Sequence, residues 1–107
     1  MIRMDAADTD NAVSNTFPHP LEGYWWETER QVVIPWIRNT GTPTTFLKFL
    51  RIIEHKGKAI VFPTVINARL DKLLRLRGYV DGVVWAEGFE EDVHCLVFQP
   101  EYIEEIS

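Results

Sequence analysis

Apolar and polar positions change rhythm several times along this chain, and each change predicts an element. Tyr24, Trp25 and Trp26 precede a polar stretch, 27–31, which gives way to Val32, Val33 and Ile34. Two short strands about a turn, a hairpin, follow from that pattern. Pro35 cannot donate a ladder hydrogen bond, so the second strand must end, splay or bulge there. The rhythm then becomes helical: Phe46, Phe49, Leu50 and Ile53 fall at i, i+3, i+4 and i+7, with Lys48, Arg51 and Lys56 turned away. Thr42 is the expected N-cap and Pro43 the first helical residue, because the N–H that proline lacks is unpaired at that position anyway. Gly57 closes the helix.

Residues 59–62 form a short apolar run bounded by Gly57 and Pro63. This reads as a strand buried on both faces, parallel to 32–34 across a helical crossover. A second helix is expected from about Val65, with Ile66, Leu70, Leu73 and Leu74 on one face, Arg69, Lys72 and Arg75 on the other, and Gly78 as its stop. Residues 79–86 and 93–98 are rich in β-branched and aromatic side chains and flank a polar connection, which predicts a terminal antiparallel hairpin. The result is an α/β (α+β) domain: a mixed, mostly antiparallel sheet with two main helices, spanning 21–107. Residues 1–16 show no sustained periodicity, and Phe17-Pro18-His19-Pro20 cannot continue a helix. The expectation for 1–20 is a flexible arm, or one laid on a partner.

Composition narrows the classes. With 107 residues, 46% apolar and 25% charged, the chain suits one globular domain. A net charge of −5 argues against nucleic acid or an anionic membrane as the default partner. The single cysteine, Cys95, excludes an intrachain disulfide and provides no metal spacing, which favours the cell interior, and no run is long enough to span a bilayer. A cytoplasmic protein is expected.

The stretch 33–44, V-I-P-W-I-R-N-T-G-T-P-T, carries the candidate chemistry. A strand stops at proline, a loop carries Arg38, Asn39, Thr40 and Gly41, and a helix opens at Thr42-Pro43. The unpaired N–H groups of a helix N-terminus bear the positive end of its dipole, so a loop that lets a ligand close to them suits a phosphate. Gly41 permits that approach.

That stretch resembles the acetyl-CoA signature of the GNAT superfamily of N-acetyltransferases, in which a V-x-P strand leads into R/Q-x-x-G-x-G/A and a helix. Val33, Pro35, Arg38 and Gly41 fall in place. Val65-Ile66-Asn67-Ala68, followed by a helix and Gly78-Tyr79, looks like the family's Asn-bearing loop, helix and terminal Gly-Phe. The resemblance covers roughly 23–100. It implies acetyl-CoA or another acyl-CoA as co-substrate and an amine as acceptor. The open edge of Ile34, Trp36 and Ile37 would pair with pantetheine; after the signature's Arg38, the N–H groups of the loop Asn39, Thr40, Gly41, Thr42, Pro43 and Thr44 would hold the pyrophosphate, with the threonine hydroxyls assisting, and Asn67 would lie beside the pantetheine or thioester. Pro43 stands where the family has Gly or Ala and removes one donor, and Leu74 stands where its acid tyrosine commonly lies. The family's N-terminal elements, which shape the acceptor site, need more chain than 1–20 supplies. The leading function is therefore acyl-CoA-dependent N-acyltransfer. The alternative is a GNAT-fold binding or assembly protein without catalysis, of viral origin like the very short versions in tailed phages.

Glu27 and Glu29, near the strand that precedes the signature, are candidate bases, acting directly or through water, although charged residues are ordinary in a solvated turn. Asn67 is equally suited to capping the second helix, and the two roles are compatible. His94 and Cys95 are adjacent on a strand and so point to opposite faces, which argues against a nucleophile–base pair. His19 and His55 lack ligand-spaced companions, so no metal is expected. The four Trp suit core or interface, and a homodimer built on the aromatic hairpin fits either function.

Overall fold

A computed structural model of the chain describes residues 2–4, 13–17, 19–65, 67–86 and 90–99. Seven strands form one mixed sheet: β1 (Ile2–Met4), β2 (Val13–Thr16), β3 (Leu21–Glu27), β4 (Gln31–Asn39), β5 (Ala59–Pro63), β6 (Val80–Ala86) and β7 (Glu91–Phe98), in the order β1-β6-β7-β5-β4-β3-β2. Helix α1 (Pro43–Glu54) links β4 to its parallel neighbour β5, and α2 (Ala68–Leu76) links β5 to β6. The hairpins β3–β4 and β6–β7 are antiparallel, as the apolar pattern predicts.

Both helices pack on one face of the sheet. Phe46, Phe49, Leu50 and Ile53 of α1 and Leu74 of α2 join Val32, Ile34, Ile60, Phe62 and Leu96 in one core, with Tyr79 stacked edge-on against Phe62 at 5.7 Å. The opposite face gathers a second cluster drawn from strands alone: Met4, Val33, Val61, Val84, Cys95 and Val97, with Trp26 packed against it. Cys95 is fully enclosed there, and burial pushes its thiol up to about 11. His94 points to the other face and meets Asp81 at 2.8 Å, so the two side chains are separated by the sheet.

The N-terminal stretch departs from the expected arm. β1 pairs parallel with β6, β2 pairs antiparallel with β3, and Phe17 is buried against Phe49 at 4.8 Å and Trp25 at 6.4 Å. Strands of three and four residues are too short for a readable period, and their pairing is supplied by partners distant in sequence. The second helix begins three residues later than expected, because Thr64 turns through φ 54° and Asn67 caps at 67. Ile66, the connection at 87–89 and the acidic tail 101–105 lie outside the described residues. Among the described residues, no helix is long and apolar enough to cross a membrane.

Pro35 explains how β4 behaves. Its ladder to β5 covers only Gln31, Val32 and Val33, opposite Ala59, Ile60 and Val61. β5 continues to Pro63 on the β7 side while β4 continues to Asn39 on the β3 side, so the two strands part beyond Val33. Between Trp26↔Val33 and Tyr24↔Trp36, β4 carries one extra residue, a bulge at the position that has no N–H to give. The bulge puts Ile34 and Ile37 on the helix face together, and Val33 and Trp36 on the other.

Candidate functional site

The parting of β4 from β5 opens toward the N-termini of both helices, and a cavity of about 490 Å³ lies there. Ile37, Arg38, Asn39, Gly41, Pro43 and Asn67 line it, which brings together six residues named from the sequence as a cofactor site. Phe46, Leu70 and Leu73 form its apolar wall, and Arg69 is a second arginine in its lining. Ile34 lies in the core rather than in the cavity wall, and Trp36 faces the opposite side of the sheet. Thr40, Thr42 and Thr44 are exposed beside the cavity without lining it.

The loop itself differs in construction from an open cradle. Thr40 donates both its N–H and its hydroxyl to the Pro20 carbonyl. The Asn39 side chain braces the turn, accepting from the Gly41 N–H at 2.9 Å and donating to the Thr42 carbonyl at 2.9 Å. Two of the amides expected to hold a pyrophosphate are thus spent inside the protein, and Pro43 has none. What remains is the opening of α1. Thr42 occupies the N-cap position as expected, but its hydroxyl pairs with that of Thr45 at 3.3 Å and caps nothing. The first-turn amide of Thr44 is left to solvent or ligand.

Gly41 also has a different reason to be glycine. A Cβ at position 41 would fall 2.5 Å from Pro20 Cγ and 3.2 Å from Pro20 Cβ, so the missing side chain makes room for the proline ring rather than for a ligand. Gly41→Ala is therefore expected to lower stability by about 1–2 kcal/mol through the forced shift of the Pro20 turn. Chemical denaturation checks this, and Pro20→Ala should relieve part of the cost in the double variant. A Gly41→Ala protein as stable as the parent would return Gly41 to the role read from the sequence.

At α2 the capping reading of Asn67 holds. Its Oδ1 accepts from the N–H groups of Arg69 at 2.9 Å and Leu70 at 3.1 Å, which leaves the amide NH2 as the group a ligand in the cavity could meet. The helical spacing assigns Arg69 to a solvated face. The missed signal is its place in the first turn directly after the Asn cap, where a side chain sits beside the helix opening. Arg75, from the same face, is occupied by Asp71 and Asp81.

Neither candidate base reaches the cavity. Glu27 sits opposite Val32, at the far end of β4 from Asn39, roughly 20 Å away at about 3.3 Å per residue. Its carboxylate accepts from Lys58 at 2.7 Å and Lys56 at 3.2 Å. The Lys58 hydrogen bond, opposed by burial and reinforced by Lys56, holds Glu27 below the ordinary 4.5. Glu29 is exposed in the β3–β4 turn. These glutamates lie near the signature in the chain, but an extended strand separates them from it in space.

The same ion pairs fix a pH response. Arg75 and then His94 hold Asp81 below its ordinary 3.8, as Arg3 holds Asp92. A carboxylate whose value is depressed by folding stabilises the fold above its unfolded value, and that contribution is lost as pH falls. Urea midpoints should therefore decline between about pH 5 and pH 3, and Glu27→Gln should flatten the decline. An unchanged slope in that variant would show that the lysine pairs contribute nothing to it.

Among the described residues no group of three or more His, Cys, Asp or Glu is placed to hold a metal ion. No protein-family model, curated protein or solved structure matches the chain.

Proposed function

We propose that this protein is an acyl-CoA-dependent N-acyltransferase of the GNAT type, with the CoA thioester lying along the open edge of β4 and its phosphates at the helix openings. The observation that carries the reading is the parting of β4 from β5 beyond Val33, at the V-x-P position, directly beside a cavity lined by Arg38, Arg69 and the N-termini of α1 and α2. The starts of both helices and two arginines border one volume, which suits a multiply charged anion. The apolar wall of Phe46, Leu70 and Leu73 suits an aliphatic arm. In such a transfer the amine nitrogen bonds to the thioester carbon as the C–S bond breaks; the nitrogen loses a proton to solvent and the thiolate gains one.

A second reading, a binding protein with the same fold and no turnover, is favoured by a separate observation: among the described residues no carboxylate or phenol lines the cavity. Leu74 is fully buried, and the nearby Tyr79 hydroxyl is engaged by Glu54. Calorimetric titration with acetyl-CoA, followed by thiol release in the presence of a lysine peptide, separates the readings. Binding with release supports the transferase, binding without release supports the binding protein, and no heat at high micromolar acetyl-CoA sinks the transferase.

A further inference from the structure

The cations of this chain are gathered around its helices. Eight of the eleven Lys and Arg fall in 43–78, against two of the sixteen Asp and Glu, so that segment bears +6 and the rest of the sequence −11. The overall −5 conceals a strongly divided charge. Glu54 and Asp71, the two carboxylates of the segment, are already paired with Arg77 and Arg75. Lys48, Arg51, Arg69 and Lys72 make no ion pair among the described residues.

Both helices present these side chains on one surface. Arg77, directly after α2, meets Glu54 at the end of α1, while the starts of both helices border the cavity, so α1 and α2 lie side by side and run in the same direction. Each turns its apolar stripe to the sheet. At 3.6 residues per turn, Lys48 and Arg51 point away from the stripe of Phe46, Phe49, Leu50 and Ile53, as Lys72 points away from Leu70, Leu73 and Leu74. Ile52 stands one turn after Lys48, and Leu76 one turn after Lys72. At 64% and 77% they are the most exposed large apolar side chains among the described residues. Aliphatic tips left in water among unpaired cations fit an occupant that offers both anions and hydrocarbon.

From this arrangement we infer that the outer surface of α1 and α2 docks on an anionic lipid bilayer, with Lys48, Arg51 and Lys72 among the headgroups and Ile52 and Leu76 entering the boundary with the acyl chains. Each Lys or Arg held near an anionic surface adds to the attraction, and a helical face that joins such cations to aliphatic side chains lies in the interfacial plane. A nucleic-acid backbone would engage the cations and leave both aliphatic side chains in water, so the bilayer accounts for more of the surface. Docking of this kind does not depend on the acyltransfer reading. Arg69 belongs to the cavity lining as well, so the variants that probe the surface spare it.

The test cosediments the full chain with vesicles of phosphatidylcholine alone and of phosphatidylcholine with about 30% phosphatidylserine. Binding is expected on the mixed vesicles at about 0.1 M salt, weaker at about 0.5 M, and absent on phosphatidylcholine alone. Lys48→Gln/Arg51→Gln/Lys72→Gln should weaken it about a hundredfold, roughly fivefold for each cation removed. Ile52→Ser/Leu76→Ser should weaken it about tenfold with the salt dependence kept. All five positions are exposed, and a thermal midpoint near the parent's identifies each variant as folded. No binding to the mixed vesicles overturns the inference, as does equal binding to phosphatidylcholine alone or equal binding by either folded variant. Tighter binding of a DNA duplex than of the mixed vesicles, undiminished by Ile52→Ser/Leu76→Ser, makes the partner a nucleic acid and overturns it as well.

Discussion

Reversing both guanidinium groups at the cavity, in an Arg38→Glu/Arg69→Glu variant, is expected to weaken acetyl-CoA binding by about a hundredfold or more. Each arginine is exposed, so its attraction for one phosphate is reduced by solvent and amounts to about 1 kcal/mol. Reversal replaces that attraction with a repulsion of similar size, and two sites together exceed the roughly 2.8 kcal/mol of a hundredfold change. Glu22, which lies 3.9 Å from Arg38, would add a like charge to the first site. The loss should be smaller at high salt, because exposed charges are screened. Stability should change by no more than about 0.5 kcal/mol, since both side chains are exposed. Calorimetry at two ionic strengths checks the result. An affinity indifferent to the double reversal would show that the phosphates do not lie in this cavity.

Arg38 and Arg69 also show how far the sequence reaches. Arg38 is recognisable because it has a fixed offset from Pro35, and the behaviour of β4 follows from one missing N–H. The helices are legible because each buries a regular stripe: Leu50 and Ile53 on α1 are fully enclosed by the sheet. Arg69 is not legible, because one basic residue among three on a helix looks solvated until the helix opening is placed beside another. The Pro20–Thr40 bonds are illegible for a related reason. They join positions twenty residues apart through a carbonyl, which no residue type announces. Glu27 fails in the opposite direction: it is near the signature in sequence, yet an extended strand carries distance efficiently. What the sequence conveys well is periodic burial and backbone exceptions; what it conveys poorly is which polar groups are already engaged.

Glu54 is an engaged group of this kind, and its removal should be the most costly polar change in the described fold. As the last residue of α1 it accepts from Arg77 Nε at 3.1 Å, from Arg77 Nη2, and from the Tyr79 hydroxyl at 3.2 Å. The carboxylate side chain is 13% exposed and its arginine partner 25%. This single group therefore ties the end of α1 to the turn between α2 and β6. Glu54→Ala leaves a largely buried phenol and a half-buried guanidinium without their acceptor. The expected cost is about 2–3 kcal/mol, reduced from the figure for a fully buried pair because water still reaches Arg77. In a domain of this size that corresponds to a fall in Tm of roughly 10 °C. Tyr79→Phe should cost less than about 1 kcal/mol, since the ring keeps its contacts with Phe62 and Phe98 while only the hydroxyl is lost. The Glu54→Ala/Tyr79→Phe double variant should cost less than the sum of the two, because the second change removes a group the first has stranded. Strict additivity in that cycle would mean that the Tyr79 hydroxyl does not depend on Glu54, and that Arg77 alone uses the carboxylate at the end of α1.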